Sequence, residues 1–185
     1  MKKNFFVKVL MVFLFCAVFN GGVQAQNTFS KGDNIVNVGL GLINPHTATF
    51  GLYSGRRIVV PPVSASYEMC LIDNLFNDKS SIGVGGYFGF AASKIKDADW
   101  RYSNAIIGLR GAFHYQLVDN LDTYAGVMMG VRIHSYSSYS KGSSGYFAAD
   151  TFLGARYYFA NNIGAFAELG WGGIGVFQLG VAFKF

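Results

Sequence analysis

Apolar and polar residues alternate with a period of two along most of this chain. Residues 34–42 give the clearest case, because Val36, Val38, Leu40 and Leu42 are apolar and the residues between them are polar or glycine. This period is typical of a β-strand with one face in an apolar environment. The pattern recurs and predicts eight strands, at about 33–44, 57–70, 80–93, 102–117, 122–136, 145–159, 163–171 and 175–185.

The lengths of these segments favour a membrane-spanning β-barrel. Most of them exceed the five or six residues typical of a strand in a globular sheet, and a tilted strand needs about ten residues to cross a bilayer. No segment after residue 25 is apolar over the length of a membrane-spanning helix.

The segments between the predicted strands are of two kinds. Three contain a repeated turn signature, Asp73-Asn74-Leu75, Asp119-Asn120-Leu121 and Asn161-Asn162-Ile163. Asx side chains satisfy the backbone of tight turns. Longer connections alternate with these turns and are predicted to be loops, namely 45–56, 93–101 and the polar segment 135–144. Tight turns at one end and longer loops at the other are typical of outer-membrane barrels.

Pro61-Pro62 interrupts the second predicted strand. Proline cannot donate to a sheet ladder and is confined to strand starts, edges and bulges. We therefore expect regular pairing of this strand to begin at Val63, with a kink before it.

Charged and apolar residues fall on opposite faces of the predicted strands. In the fourth strand, Ile107 and Leu109 share one face, and Arg110 and His114 share the other. A charge facing lipid near the bilayer midplane costs about 2–4 kcal/mol, so we expect the charged face to line the lumen. The predicted lumen network has a structural role and consists of Glu68, Arg110, Arg132, His134, Asp150, Arg156, Glu168 and Lys184.

An eight-stranded barrel encloses a lumen just wide enough to be filled by side chains. Glycines on the lumen face, such as Gly39 and Gly83, leave room for long Arg and Tyr side chains. We therefore expect a plugged lumen and not a general porin. A soluble β-sandwich or a lipocalin-like calyx is the alternative with the same alternation, but the chain lacks the Lys- and Glu-rich surface that such a domain needs.

Aromatic residues concentrate near the predicted strand ends, as the two interfacial girdles of a membrane barrel require. Those assigned to the loop side are Trp100, Tyr102, Tyr136, Tyr146 and Trp171. Those assigned to the turn side are Tyr115, Tyr124, Tyr157 and Phe159.

Composition agrees with export to a membrane. Only 14% of the residues are charged, against about 25% in a typical soluble domain. Residues 1–25 are predicted to be a cleaved signal peptide, because basic residues precede the apolar run 9–19 and Val23-Gln24-Ala25 forms a cleavage site. A single anchoring helix is disfavoured by the short run, and a lipoprotein at Cys16 by the large Phe15 before it. Residues 26–185 then form the barrel domain.

Removal of the signal peptide also changes the charge. It takes three lysines and no acid, so the formal net charge falls from +5 to +2, which leaves no argument for a nucleic-acid partner. Cys70 is then the single cysteine, and one thiol forms neither an internal disulfide nor a thiolate metal cluster. His46 and His114 stand alone in the sequence, so no metal site and no cofactor are predicted.

The chain resembles the small eight-stranded outer-membrane β-barrels of Gram-negative bacteria, the OmpA/OmpX-like barrels. The resemblance rests on Ala167-Glu168-Leu169-Gly170, on the Asx turns and on the C-terminal Gly180-Val181-Ala182-Phe183-Lys184-Phe185. Phe183 and Phe185 look like the assembly signal of that family, read by the barrel-assembly machinery. The resemblance implies location in the cell outer membrane and contact with its lipid and lipopolysaccharide. Members differ in function, so the fold does not supply one.

A hydrolytic site near the loops is the main catalytic possibility. The relevant residues are His134, Ser135, Ser137 and Asp150. Successive residues of a strand point to opposite faces, so His134 and Ser135 do not face each other. We expect His134 to face the lumen and to hydrogen-bond to Asp150. The Ser-, Tyr- and Gly-rich loop 135–146 has a composition suited to binding an extracellular ligand.

The predicted function is therefore non-catalytic, a structural or surface-interaction role of a monomeric outer-membrane barrel. Two alternatives remain open, a lipid-modifying hydrolase resembling the lipid A deacylases and a narrow gated pore.

Overall fold

The computed structural model describes residues 28–43, 56–95, 101–137 and 141–185. Its eight strands are β1 (Asn34–Ile43), β2 (Arg56–Asp73), β3 (Ser80–Ile95), β4 (Arg101–Val118), β5 (Leu121–Ser137), β6 (Lys141–Ala160), β7 (Ile163–Gly170) and β8 (Phe177–Lys184). Within the described ranges, no helix has the length and apolar character needed to cross a membrane. The predicted signal peptide, His46 and Trp100 lie outside the described residues.

The strands form one closed antiparallel barrel in which each strand pairs with its neighbours in chain order. β1 and β8 close the barrel, with Val36 opposite Phe183 and Leu40 opposite Leu179. The predicted all-β, up-and-down fold of eight strands is therefore confirmed. The observed strand ends differ from the predicted ones by no more than four residues.

Asx residues form tight connections at one end of the barrel, which we call the turn end. Asn74 and Asn120 have φ values of 54° and 63°, in the left-handed region that Asn enters more readily than most residues. The β4–β5 and β6–β7 connections contain only residues 119–120 and 161–162. The predicted turn signature is thus confirmed. We call the opposite end, where β5 passes to β6 and β7 to β8, the loop end.

The two prolines displace the pairing of β2. The register between β2 and β3 shifts between Val60 and Val63, and regular pairing starts at Val63, opposite Phe90. The β1–β2 ladder also reaches no further than Leu40 opposite Val63. The predicted start of regular pairing is confirmed on the β1 side. On the β3 side the prolines, which have no N–H, interrupt the ladder and shift its register, and pairs with β3 resume at Arg56–Ile58 and Val60.

Apolar side chains cover the outer surface, and charged ones line the lumen. On β4, Leu109 is 77% exposed and the next residue, Arg110, is 4% exposed. Val131, Leu153 and Leu179 are likewise exposed on other strands. The predicted separation of the two faces is confirmed, since the period of two places each charge opposite an apolar neighbour.

Candidate functional site

The turn-end half of the lumen contains a buried cluster of four ionisable side chains. The Arg156 guanidinium donates through Nη1 to Asp122 Oδ2 at 3.0 Å and through Nη2 to Glu68 Oε2. His114 lies between the same two carboxylates, with Nδ1 3.0 Å from Asp122 and Nε2 3.0 Å from Glu68 Oε1. Both ring nitrogens face acceptors, an arrangement that suits the imidazolium, which donates from both.

Strand register explains how this cluster forms. Asp122 and Arg156 are direct partners on β5 and β6, and therefore lie side by side on the lumen face. Glu68 reaches them from β2, across the barrel. It has room because Gly83 has no side chain, since a Cβ there would lie 2.9 Å from Glu68 Oε1.

A second cluster lies nearer the middle of the lumen. Arg110 Nη2 donates to Oε2 of Glu168, on β7, at 2.8 Å. The Tyr124 hydroxyl donates to the same Glu168 oxygen at 3.1 Å. The Tyr124 ring also lies under Arg156, whose Cζ is 4.3 Å from the ring centroid. Tyr124 therefore joins the two clusters. With the imidazolium counted, three cationic groups face three carboxylates, which limits the cost of burying them.

The N-terminal segment closes the turn end of the lumen. Phe29 is buried, and its ring centroid lies 4.5 Å from that of His114. The Thr28 N–H donates to Gln116 Oε1 at 3.0 Å, and the Lys31 N–H to Asp73 Oδ2 at 3.0 Å. These bonds hold the segment against the barrel mouth.

The β7–β8 connection closes the loop end. Asp150 accepts hydrogen bonds from the N–H groups of Trp171 (2.6 Å) and Gly172 (2.5 Å). Arg132 Nη2 donates to the Gly172 carbonyl at 2.6 Å. Ile174 is then fully buried, and its N–H donates to the Tyr87 hydroxyl at 3.3 Å. The connection is thus folded into the lumen.

The structure distributes the eight residues of the predicted lumen network among five places. Glu68 and Arg156 lie in the turn-end cluster, and Arg110 and Glu168 in the middle one. Arg132 and Asp150 hold the β7–β8 connection. The other two lie near opposite ends of the barrel. Lys184 Nζ lies 3.8 Å from Asp33 Oδ2 at the turn end, and His134 is half-buried at the loop end.

The predicted hydrogen bond between His134 and Asp150 is wrong. His134 pairs with Ser144, whereas Asp150 pairs with Met128, six residues further along β6. Six residues of a strand span about 20 Å. The described aromatic neighbour of His134 is Tyr146, with ring centroids 5.8 Å apart.

Sequence reasoning missed three residues of the buried clusters. His114 lies on the lumen face, as predicted, but the predicted network does not include it. The assignment of Tyr124 to an outer aromatic girdle is wrong, because its side chain is buried in the lumen. Asp122 was not assigned to the network. Strand parity could have identified Asp122 and Tyr124 as lumen residues, because both have the same parity on β5 as Arg132.

The predicted loop 135–146 is largely a β-hairpin, so that interpretation is corrected. β5 continues to Ser137 and β6 begins at Lys141, with Ser135 opposite Ser143. Only residues 138–140 of this segment lie outside the described strands. Pairing satisfies the backbone of a polar sequence whose composition alone is typical of a loop.

The β5–β6 hairpin extends beyond β7. β6 pairs with β7 only from Phe152, opposite Gly170, so its residues 141–151 continue past the end of that ladder. We call these residues, with their β5 partners 127–137, the protruding wall. Among the described residues no strand pairs with the outer edge of β6 here. The β7–β8 connection covers its lower end, because the Trp171 N–H donates to the Thr151 carbonyl at 3.2 Å and Gly172 packs against the Ala149 carbonyl.

The solved structures similar to this chain include barrels of outer-membrane proteins. Ail, the attachment invasion locus protein of Yersinia pestis, matches with a TM-score of 0.52 at 13% identity, over 84% of this chain and 99% of Ail. Ail in complex with the heparin analogue sucrose octasulfate gives 0.54 at 10% identity, over the same shares. The N-terminal barrel domain of Pseudomonas aeruginosa OprF gives 0.48 at 19%, over 88% and 100%. No protein-family model and no curated protein sequence matches the chain.

The Ail likeness shows the fold, and the apolar exterior shows what surrounds it. A closed eight-stranded barrel with exposed residues such as Leu109 and Leu153 around its outside is built to face lipid. The chain is an eight-stranded outer-membrane β-barrel, in agreement with the predicted fold and location.

Proposed function

We propose that this protein is a non-catalytic surface-interaction protein. The barrel anchors the protein in the outer membrane. The part of the β6 edge nearest the loop end, residues 143–147, with which no described strand pairs, binds an extended segment of an extracellular partner protein. The observation that carries this proposal is the continuation of β6 for residues 141–151 beyond its last pair with β7. An unpaired strand edge is a template for another strand.

The backbone of β6 presents alternate residues to that edge. The Tyr158 N–H bonds to Asn120, which follows β4 on the β5 side, whereas the Thr151 carbonyl accepts a bond from the β7 side. Backbone groups alternate sides along an antiparallel strand. The odd residues 143–147 therefore direct N–H and C=O groups to the uncovered part of the edge, and Ala149 directs its carbonyl to the backbone of Gly172.

Side chains beside the edge supply contacts of the kind that give specificity to strand addition. Phe147 is 74% exposed and Tyr146 is 56% exposed on β6. A shallow apolar groove between Leu153, Leu169 and Trp171 lies at the foot of the edge. The Ail complex with a heparin analogue supports ligand binding by a barrel of this fold.

The surroundings of His134 support a non-catalytic role. Ser135 follows it on the strand and points to the other face. The acid expected to orient it, Asp150, instead binds the backbone of Trp171 and Gly172. A hydrolytic triad needs nucleophile, base and acid together.

Assembly and lipid contacts complete the proposal. We propose that the barrel-assembly machinery reads Phe183 and Phe185 and that the protein acts as a monomer in contact with outer-membrane lipid and lipopolysaccharide. The position of Phe185 supports this, because its N–H and C=O pair with Asn34 at 2.9 and 2.8 Å and so complete the seam between β8 and β1.

Gly145→Pro tests the edge. We expect it to weaken capture of extended peptides at least tenfold, because it removes an N–H that faces the outer edge of β6 and leaves the β5–β6 ladder intact. The measurement uses refolded protein in nanodiscs on an array of extended peptides of varied sequence. Gly145→Ala keeps the N–H, has room for its Cβ, and is the matched control. Equal capture by both variants, or no capture by the wild type, contradicts the proposal.

A sealed lumen predicts the absence of large conductance. Phe29 and Ile174 occupy its two ends, with the ionic clusters between them. We expect planar-bilayer recordings of the wild type to show no steps of nanosiemens order. Steady steps of that size would support the gated pore instead.

A further inference from the structure

Three buried side chains at the loop end have polar atoms without a hydrogen-bond partner in the described part of the chain. Both amide atoms of Asn104, Nδ2 and Oδ1, are among them, and so are the Ser93 hydroxyl and Arg132 Nη1. Asn104 and Ser93 are each 5% exposed, and Arg132 is 7% exposed. Buried polar atoms are nearly always bonded, and departures from such rules are expected at functional sites. These atoms therefore indicate a site for a molecule from outside the chain.

Strand register places these residues side by side on the lumen face. Asn104 lies opposite Ala91 on β3 and opposite His134 on β5. Ser93 and Arg132 are each two residues from those partners, so both are diagonal neighbours of Asn104. Diagonal neighbours in a sheet lie about 7–8 Å apart. One small molecule is therefore large enough to contact all three residues.

The β7–β8 connection forms the floor beneath them. Gly89 stands in the same register row as Arg132, and a Cβ at Gly89 would lie 2.6 Å from the Cβ of the buried Ile174. Arg132 Nη2 donates to the carbonyls of Gly172 at 2.6 Å and Gly173 at 3.3 Å. The guanidinium is thus held in place by Nη2 while Nη1 stays available, and Ile174 separates the site from the ionic clusters below.

Three tyrosines stand on the outer side of this space. Tyr102 lies between Ser93 and Tyr136 in one register row. Tyr146 is opposite Arg132 on the inner face of the protruding wall. Tyr136 and Tyr146 are 43% and 56% exposed, so a molecule that enters from outside meets their rings first. We call the three polar residues and the three tyrosines the vestibule: Ser93, Tyr102, Asn104, Arg132, Tyr136 and Tyr146.

The unbonded atoms of the vestibule define the chemistry of its ligand. Arg132 Nη1 is a cationic donor, and guanidinium groups form strong charge-assisted bonds with carboxylates. No vestibule residue is acidic, so a carboxylate meets no repulsion from these residues. The Asn104 amide supplies a donor and an acceptor, and the Ser93 hydroxyl acts as either, which suits the hydroxyl groups of a sugar. Tyrosine rings add contact surface at little cost in conformational entropy.

We infer that the vestibule binds a small sugar acid, a monosaccharide that carries a carboxylate. The carboxylate binds Arg132, ring hydroxyl groups bind Asn104 and Ser93, and the tyrosine rings cover the sugar. Ile174 keeps the ligand at the mouth of the barrel, so the site serves binding and not passage. The inference goes beyond the proposed function and is independent of it, because the site lies on the lumen face and not along the β6 edge.

Asn104→Leu tests the site, with glucuronate as the probe in a ligand-detected NMR titration of protein in nanodiscs. We expect the wild type to bind glucuronate saturably and to bind glucose, which lacks the carboxylate, about tenfold more weakly or worse. Asn104→Leu removes two hydrogen bonds to the ligand and is expected to raise the Kd for glucuronate about tenfold. Its free energy of unfolding in urea is expected to stay the same or to rise, because the lost amide has no partner within the described barrel.

A pair of serine variants supplies the matched control. Ser93→Ala is expected to raise the Kd about threefold, as the loss of one neutral hydrogen bond does. Ser81→Ala makes the same change at a buried position of the lumen face of β3, near the turn end, and is expected to bind as the wild type. Heat-modifiable migration on gels checks that each variant is folded.

Methyl glucuronide distinguishes two sources of the ligand. If it binds as well as glucuronate, the inferred ligand is the terminal residue of an extracellular glycan; if it binds more weakly, the ligand is the free sugar acid. No saturable binding of glucuronate by the wild type, or equal binding of glucose, overturns the inference. So does an unchanged Kd in Asn104→Leu, an equal loss in Ser81→Ala and Ser93→Ala, or a lower free energy of unfolding in Asn104→Leu, which would mean that the amide bonds within the barrel.

Discussion

Arg156→Met is expected to lower the free energy of unfolding by about 3–5 kcal/mol. Methionine nearly fills the volume of the arginine, so the change removes charge without opening a large cavity. Glu68 and Asp122, both fully buried, then share only His114 as a cationic partner. An uncompensated buried carboxylate is the source of the loss. Urea titration in detergent micelles, followed by tryptophan fluorescence and heat-modifiable migration, measures it.

Two further variants separate charge from packing. Lys79→Met alters an exposed residue at the turn end and is expected to change stability by less than about 0.5 kcal/mol. Combining Arg156→Met with Glu68→Gln and Asp122→Asn neutralises the cluster as a whole, which is often nearly neutral in effect, and we expect most of the stability to return. If Arg156→Met alone is as stable as the wild type, the cluster does not stabilise the barrel.

The placement of these charges on the lumen face could be predicted from the sequence. Alternation has a period of two in any strand, and only one assignment of faces keeps Arg110 and Glu168 out of lipid. The same reasoning holds for Asp122 and Tyr124, which share the parity of Arg132. They were missed because one lies at a strand start and the other is aromatic, and such positions are also typical of turns and girdles.

The partners of each charge could not be predicted. Glu68 meets His114 across the lumen, 46 residues away, and the sequence does not give the stagger that decides which rows of a barrel face each other. The predicted bond between His134 and Asp150 is wrong for a similar reason. The sequence shows that both side chains have lumen parity but does not show that they lie at different heights along the barrel.

The length of the β5–β6 hairpin could not be predicted from the sequence either. Residues 135–144 have the Ser, Gly and Tyr content of a loop, yet Ser135–Ser137 pair with residues 141–143. Pairing of the two strands extended this hairpin, because each added pair satisfies the backbone of both. The free edge of β6, on which the proposed function depends, follows from a register that composition does not encode.

Leu109→Arg is expected to lower the free energy of unfolding by about 2–4 kcal/mol, as measured by urea titration in lipid bilayers. Leu109 lies on the outer face near the middle of β4 and is 77% exposed to the surroundings of the barrel. The native chain already has an arginine at position 110, where it points into the lumen and binds Glu168. Neighbouring residues of a strand point to opposite faces. The arginine side chain is therefore the same at positions 109 and 110, and only the face to which it points differs.

Leu117→Arg is the control for depth. It places the same side chain on the same face of β4, next to the turn end, where an arginine costs only about 0–1 kcal/mol. If Leu109→Arg lowers the free energy of unfolding strongly and Leu117→Arg lowers it little, lipid and not water must surround the middle of the barrel. Equal and small losses at both positions would mean that water surrounds the apolar face, and the membrane location would then be wrong together with every proposal built on it.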